Sequence, residues 1–211
     1  MTDTNKTDRH TIDINALGKK TIGIVLAGGR SSRMGTDKAL LALNGQTLLQ
    51  QSIDRLQQAG CQQVYVSGDY PGTLSVPDQS ANRGPLAGLQ AVLKDERIQQ
   101  CQGQALVVIP VDMPTLPAIE IKRVVEHRED FVAFKKSFFP LKLKLNTHLV
   151  QVVDDLLANE DRRLHSIKAL LEHLSTLWLP LPEQASLFAN VNTPEQWRAL
   201  LRHKSAQAPS K

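Results

Sequence analysis

Short apolar runs alternate with helical periodicities along this chain, a pattern that predicts βαβ units. Thr21–Leu26 is an unbroken apolar run of strand length that leads into a glycine-rich segment. From Thr47, a residue type suited to an N-cap, Leu49, Ile53 and Leu56 recur on one helical face, and Gly60 stands where a helix has just ended. Gln63–Ser67 reads as a second strand. Pro85, pre-set for a first helical turn, opens a helix with Leu86, Leu89 and Leu93 on one side. Ala105–Pro110 is apolar almost throughout, as a strand covered on both faces of a parallel sheet should be, and Asp112 follows its carboxyl end. Beyond Pro117, Ile121, Val124 and Val125 point inward from a helix, and Phe131–Phe134 makes a further short strand. Leu141, Leu143 and Leu145 alternate with Lys142 and Lys144, which predicts a half-exposed strand near a sheet edge. Helices are expected over 149–158 and 166–174. Thr193, Pro194 and Gln196 spell a capping box for a last helix that turns Trp197, Leu200 and Leu201 inward. The expected fold is α/β: a mostly parallel sheet flanked by helices.

At 211 residues the chain fits one domain, placed at 21–202, between polar stretches at 1–20 and 203–211 that read as loosely held tails. A hydrophobic content of 41% with 22% charged residues excludes a disordered or fibrous chain. The net charge of +4 permits an anionic small-molecule substrate. Aromatic residues make up only 4% and are not interleaved with basic ones, so a base-stacking platform for nucleic acid is not expected. Cys61 and Cys101 carry neither C-x-x-C spacing nor a nearby His pair; they read as small buried apolar residues, not as a zinc site or disulfide framework. No run approaches the ~18 apolar residues of a membrane span. The first twenty residues show neither an apolar signal core nor an Arg-rich transit pattern, so the cytoplasm is the expected compartment.

Candidate chemistry concentrates at residues 26–43, LAGGRSSRMGTDKALLAL. Gly28, Gly29 and Gly35 allow the backbone to approach a ligand closely, and amides of such a segment can converge on phosphate oxygens. Arg30, Arg33 and Lys38 add positive charge. The spacing fits neither the P-loop nor the dinucleotide fingerprint, and on the glycines alone a plain strand-to-helix turn with surface bases is an equally good reading. Asp112 lies where open α/β sheets bind ligands, beyond a strand's carboxyl end, and its oxygens suit a hard cation; capping the helix after Pro117 is the plain alternative. Asp78 follows a strand-like segment, although Val76-Pro77-Asp78 also spells a turn. Arg83 suits an oxyanion or simply ends a loop. The six histidines form no H-x-x-x-H pair and read as surface residues.

The pattern L-A-G-G-x-S-x-R-M-G-x-D-K-x-L at residues 26–40 resembles the signature of the molybdenum cofactor guanylyltransferase family, a branch of the nucleotidyltransferases. Three further segments agree in order: RGPLAGL at 83–89, IPVDMP at 109–114 and NVNTPE at 190–195. The resemblance runs from about residue 20 to residue 201 and implies a Rossmann-like nucleotidyltransferase fold, a nucleotide-binding part over 21–115 and an acceptor-substrate part over 116–202. It also implies Mg²⁺ and transfer of GMP from GTP to the terminal phosphate of molybdopterin, giving a guanine dinucleotide cofactor and pyrophosphate. Molybdoenzymes, or chaperones that serve them, are the further partners it implies.

Carried over residue by residue, Leu26, Ala27, Gly28, Gly29 and Arg33 fall in the nucleotide-contacting loop, and Lys38 is the phosphate-binding lysine. Asp78 contacts the nucleotide, and Asp112 binds metal and GTP, so that Lys38 and Asp112 are the catalytic pair. Arg83, Asn190 and Asn192 lie toward the acceptor substrate. A cytidylyltransferase for the same cofactor is the near alternative; its loop usually reads Leu-Ala-Ala-Gly, whereas Gly28 occupies that position here. Sugar-1-phosphate and isoprenoid-precursor enzymes typically carry Pro-Lys in place of Asp37-Lys38. A non-catalytic nucleotide-binding regulator would have no need of both Lys38 and Asp112. Lys135-Lys136 and Lys142/Lys144 read as a solvated edge, with a molybdopterin phosphate contact as the alternative. One segment departs from the family pattern: Phe138-Phe139-Pro140 stands where a polar residue is expected before proline.

Overall fold

The computed structural model describes residues 20–28, 36–77 and 84–206. The chain opens with β1 (Thr21–Leu26), a 3-10 turn at Lys38–Leu40, the two-residue strands β2 (Ala42–Leu43) and β3 (Gln46–Thr47), and α1 (Leu48–Gln58). It continues through β4 (Gln63–Ser67), β5 (Leu74–Val76), α2 (Pro85–Lys94), the single turn α3 (Glu96–Gln99), β6 (Ala105–Pro110) and α4 (Ala118–Glu126). The remainder comprises β7 (Phe131–Phe134), β8 (Leu141–Lys144), α5 (Thr147–Ala158), α6 (Ile167–His173), β9 (Leu177–Leu179) and α7 (Pro194–Ala206).

Seven strands form one sheet in the order β5-β4-β1-β6-β8-β7-β9. The first four run parallel, with Leu26 in register with both Ser67 and Pro110. Because every residue of β1 is buried, the strand supplies the unbroken apolar run that a central parallel position requires. β8 is antiparallel to both of its neighbours, and β9 is again parallel to β7, so the sheet is mostly parallel as expected. Helix α1 packs against α4, while α2 packs against α5 and α6.

Local chemistry sets the helix ends. Thr47, Asn146 and Ser166 each accept a backbone N–H from the first turn of the helix that follows, at 3.1, 2.8 and 3.2 Å. Gly60, with φ +103°, supplies the left-handed residue after α1. In the capping box of α7, Gln196 Oε1 accepts from the backbone N–H groups of Asn192 and Thr193.

Three expectations need correction. β8 is not near an edge: it lies between β6 and β7, and the edges are β5 and β9. Lys142 is 8% exposed, because its ammonium donates to the carbonyl oxygens of Val125 and His127 at the end of α4 and so finds partners without reaching water. Leu201 is exposed, since a one-residue step turns 100° around a helix and only the narrow stripe of Trp197 and Leu200 meets the core. Finally, α7 continues to Ala206, past the boundary expected at Arg202. Both thiols are free; Cys61 is buried, with its pKa pushed up to about 12 by desolvation, while Cys101 is only partly buried.

The two lysines of β8 should therefore behave differently. Lys142→Ala removes the donor for two helix-end carbonyls and should lower the unfolding free energy by about 1–3 kcal/mol. Lys144, whose ammonium is 3.0 Å from Asp130 in an exposed pair, should tolerate alanine within about 1 kcal/mol. Urea denaturation of both variants measures this, and equal effects would mean that Lys142 is solvated.

Candidate active site

Parallel pairing of β4, β1 and β6 brings their carboxyl ends to one edge of the sheet. There the Ala27 N–H donates to the Ser67 carbonyl at 3.2 Å, and the Val111 N–H donates to the Leu26 carbonyl at 3.1 Å. The chain leaving β6 consequently starts beside the chain leaving β1. Leu26 and Ala27 are buried and Gly28 is exposed, so the backbone emerges from the core at this point.

Asp37 lies at this edge and caps the 3-10 turn, its Oδ1 accepting the Ala39 N–H at 2.9 Å. Lys38, the first residue of that turn, extends its ammonium across the edge. Lys38 Nζ donates to Asn192 Oδ1 at 2.7 Å and lies 3.6 Å from Asp112 Oδ2. The other carboxylate oxygen, Asp112 Oδ1, accepts from Asn190 Nδ2 at 3.0 Å. Between the two asparagines, the Val191 N–H donates to the Asp112 carbonyl at 2.8 Å, fixing the segment against the end of β6. The structure thus unites Lys38, Asp112, Asn190 and Asn192 from opposite ends of the chain.

The side chains of Lys38 and Asp112 are 16% and 18% exposed. Burial pushes the Asp112 carboxyl above the usual carboxylate value, opposed by the Lys38 charge and the hydrogen bond from Asn190. Asp112 does not cap α4, whose N-cap is Pro117 with no side-chain hydrogen bond. The capping alternative is therefore excluded. Among the described residues no three His, Cys, Asp or Glu side chains converge into a protein-only metal cage. A single accessible carboxylate does fit a hard divalent ion that takes its other oxygens from phosphate and water.

Two features of this edge are not evident in the sequence. Arg55 on α1 donates to the carbonyl oxygens of Met113 at 2.9 Å and Leu116 at 3.4 Å, bracing the segment that follows Asp112. Burial lowers its pKa to about 10, which leaves it charged near neutrality. The Ser67 hydroxyl is buried without a hydrogen-bond partner among the described residues, and a Cβ at Gly88 would lie 2.5 Å from it. An arginine at a helical spacing and a serine ending a strand carry no distinctive local signal. Of the other expected site residues, Gly29, Arg33, Asp78 and Arg83 lie outside the described residues, as do Arg30 and Gly35.

Residues 23–176 match the family model described as a MobA-like NTP transferase domain. The molybdenum cofactor guanylyltransferase of Xanthomonas euvesicatoria pv. vesicatoria is 39% identical over 185 residues, covering 85% of this chain and 93% of that protein. A solved structure titled molybdopterin-guanine dinucleotide biosynthesis protein A, from Archaeoglobus fulgidus, superposes with a TM-score of 0.65 at 16% identity, covering 88% of this chain and 100% of that one. Rv0371c from Mycobacterium tuberculosis H37Rv, solved in complex with manganese, gives a TM-score of 0.61 at 20% identity over 87% of this chain and 98% of its own. At those identities the two solved structures establish likeness of fold.

Arg55→Met should lower the unfolding free energy by about 1–3 kcal/mol, because it removes the guanidinium from the Leu116 carbonyl and leaves the Met113 carbonyl with the Leu116 N–H alone. Arg55→Lys should recover only part of that loss, since a lysine stem is shorter and lacks the second nitrogen that reaches Gln51 Oε1 while Nη1 serves both carbonyls. Urea denaturation separates the two variants; full recovery by lysine would show that charge alone matters.

Proposed function

Because the chain belongs to the molybdenum cofactor guanylyltransferase family, we propose that the cluster of Lys38, Asp112, Asn190 and Asn192 is where it transfers GMP from GTP to the terminal phosphate of molybdopterin. The observation that carries this assignment is the Lys38 ammonium, held between a carboxylate and a side-chain amide at the carboxyl edge of the sheet. An ammonium in that setting can exchange its amide partner for a phosphate oxygen without moving far. Lys38 binds the phosphates and steadies the charge that builds on them as the bond breaks. Asn190 fixes the rotation of Asp112, and Asn192 holds Lys38 until substrate arrives.

In the reaction, an oxygen of the molybdopterin phosphate attacks the α-phosphorus of GTP. The bond from that phosphorus to the bridging oxygen of the β-phosphate breaks, and pyrophosphate departs with the bridging oxygen. No side chain needs to become covalently linked to GMP. Asp112 is the residue that would hold the divalent ion, with Mg²⁺ the ion we propose; when bound, it neutralises phosphoryl charge. Leu26, Ala27, Gly28, Gly29 and Arg33 are proposed to contact the nucleotide, together with Asp78. Arg83, Asn190 and Asn192 are proposed to contact the acceptor. No described helix is long and apolar enough to cross a membrane. A reducing cytoplasm is the proposed compartment, supported by two free cysteines.

Single-turnover transfer tests the assignment. Asp112→Asn should slow GMP transfer about 10²-fold or more, and Lys38→Ala should weaken GTP binding or slow transfer on a similar scale. The ligand-free proteins should melt close to the parent, because neither side chain is a core group. Parent-like transfer by Asp112→Asn at saturating Mg²⁺ would remove Asp112 from the metal site. GTP with Mg²⁺ should also raise the melting temperature more than CTP, UTP or ATP at equal concentration. A larger shift with CTP would move the reading to cytidylyl transfer.

A further inference from the structure

A tyrosine hydroxyl lies between the residue that follows β1 and the residue that precedes Lys38. Tyr70 Oη is 3.2 Å from the Ala27 carbonyl oxygen and 3.0 Å from Asp37 Oδ2, donating toward both. Ala27 directly follows β1, and Asp37 directly precedes Lys38. The ring comes from the turn between β4 and β5 and is 9% exposed.

That turn is built to hold it. The Tyr70 N–H donates to Ser75 Oγ at 2.9 Å, and its carbonyl accepts from Thr73 Oγ1 at 2.8 Å. Gly68, at φ +128°, lies under the ring, and a Cβ there would stand 2.5 Å from Tyr70 Cε2. Any side chain at position 68 would therefore displace the tyrosine. Asp37 is bound at both oxygens, Oδ1 by the Ala39 N–H and Oδ2 by the Tyr70 hydroxyl. A carboxylate next to Lys38 in sequence and left unbound would compete with phosphate for the ammonium. Held this way, Asp37 instead anchors the turn from which Lys38 extends. Burial, reinforced by the Asp37 charge, pushes the phenol well above its usual pKa, so the hydroxyl remains a donor throughout the neutral range.

We propose that Tyr70 is a positioning residue for GMP transfer, acting through Asp37 and the Ala27 carbonyl to set Lys38 opposite Asp112. The proposal rests on the reading of Lys38 as the phosphate-binding lysine. It places the support for the GTP side of the site on the β4–β5 turn, which makes no hydrogen bond to Asn190 or Asn192 among the described residues. Loss of the hydroxyl should therefore be felt by GTP and not by the acceptor.

The test is steady-state kinetics of the full chain with GTP, molybdopterin and Mg²⁺, well below the melting temperature of every variant. Tyr70→Phe should raise the KM for GTP and lower kcat/KM for GTP about tenfold or more, as misplacement of a substrate-binding group does. The KM for molybdopterin should stay at the parent value. Asp37→Asn should reproduce the effect, and the double variant Tyr70→Phe/Asp37→Asn should lose no more than the worse single variant, because both act along one path. A purely structural role would lower kcat in proportion to the folded fraction and leave the KM for GTP unchanged. That result, or losses that add in the double variant, overturns the proposal. A parent chain that transfers no GMP overturns the functional reading and this proposal with it, whereas an unchanged KM for GTP in an active Tyr70→Phe enzyme overturns the Tyr70 proposal alone.

Discussion

A lysine ammonium shared between one carboxylate and one side-chain amide joins three segments that are far apart in the chain. Lys38 comes from the turn after β1, Asp112 from the end of β6, and Asn192 from the residues before α7. The pair is not an efficient way to gain stability, because desolvation of two half-buried charges offsets much of their attraction. Burial pushes the Asp112 carboxyl above the usual value despite the Lys38 charge, which has the sign of that cost. A fold that keeps such a pair at the mouth of a parallel sheet has a use for it beyond stability, and binding of phosphate and a divalent ion is the use that fits these groups.

The rest of the architecture serves to bring that pair together. Adjacent parallel strands deliver Ala27 and Asp112 to the same edge. The two-residue hairpin of β2 and β3 feeds directly into α1, and Arg55 of that helix braces the carbonyls just past Asp112. On the far side, the Val191 N–H binds the Asp112 carbonyl, so the two asparagines arrive with fixed spacing. Tyr70 supports the approach to Lys38 from the opposite flank. Arg55 ties a helix to a connecting segment, whereas Val191 with Asp112 and Tyr70 with Asp37 tie connecting segments to one another.

Much of this was legible in the amino-acid sequence because it depends on local chemistry. The apolar runs of β1, β4, β6 and β7, the caps at Thr47 and Thr193, and Pro85 at the first position of α2 are properties of a few neighbouring residues. β9 was not legible: three residues containing Leu177, Trp178 and Leu179 do not make a period, and only pairing with β7 defines them as a strand. The β2–β3 hairpin left a trace in Asn44-Gly45, both with positive φ, but its strands are too short to alternate. Lys142 misled because alternation with leucine normally means water on the polar side, and here the end of α4 takes the place of water. At the cluster, the roles proposed for Lys38 and Asp112 come from a motif. Their contact with Asn192 and Asn190, and the roles of Tyr70 and Arg55, arise only from three-dimensional proximity.

The central claim is that this cluster moves a guanylyl group, intact and directly, onto the molybdopterin phosphate. GTP labelled in its α-phosphate, incubated with the chain, molybdopterin and Mg²⁺, measures that claim most directly. The account predicts label in the dinucleotide product, one pyrophosphate released for each dinucleotide formed, and no label retained on the protein. Label that stays covalently attached to the chain, or transfer from α-labelled CTP in preference to GTP, would contradict it.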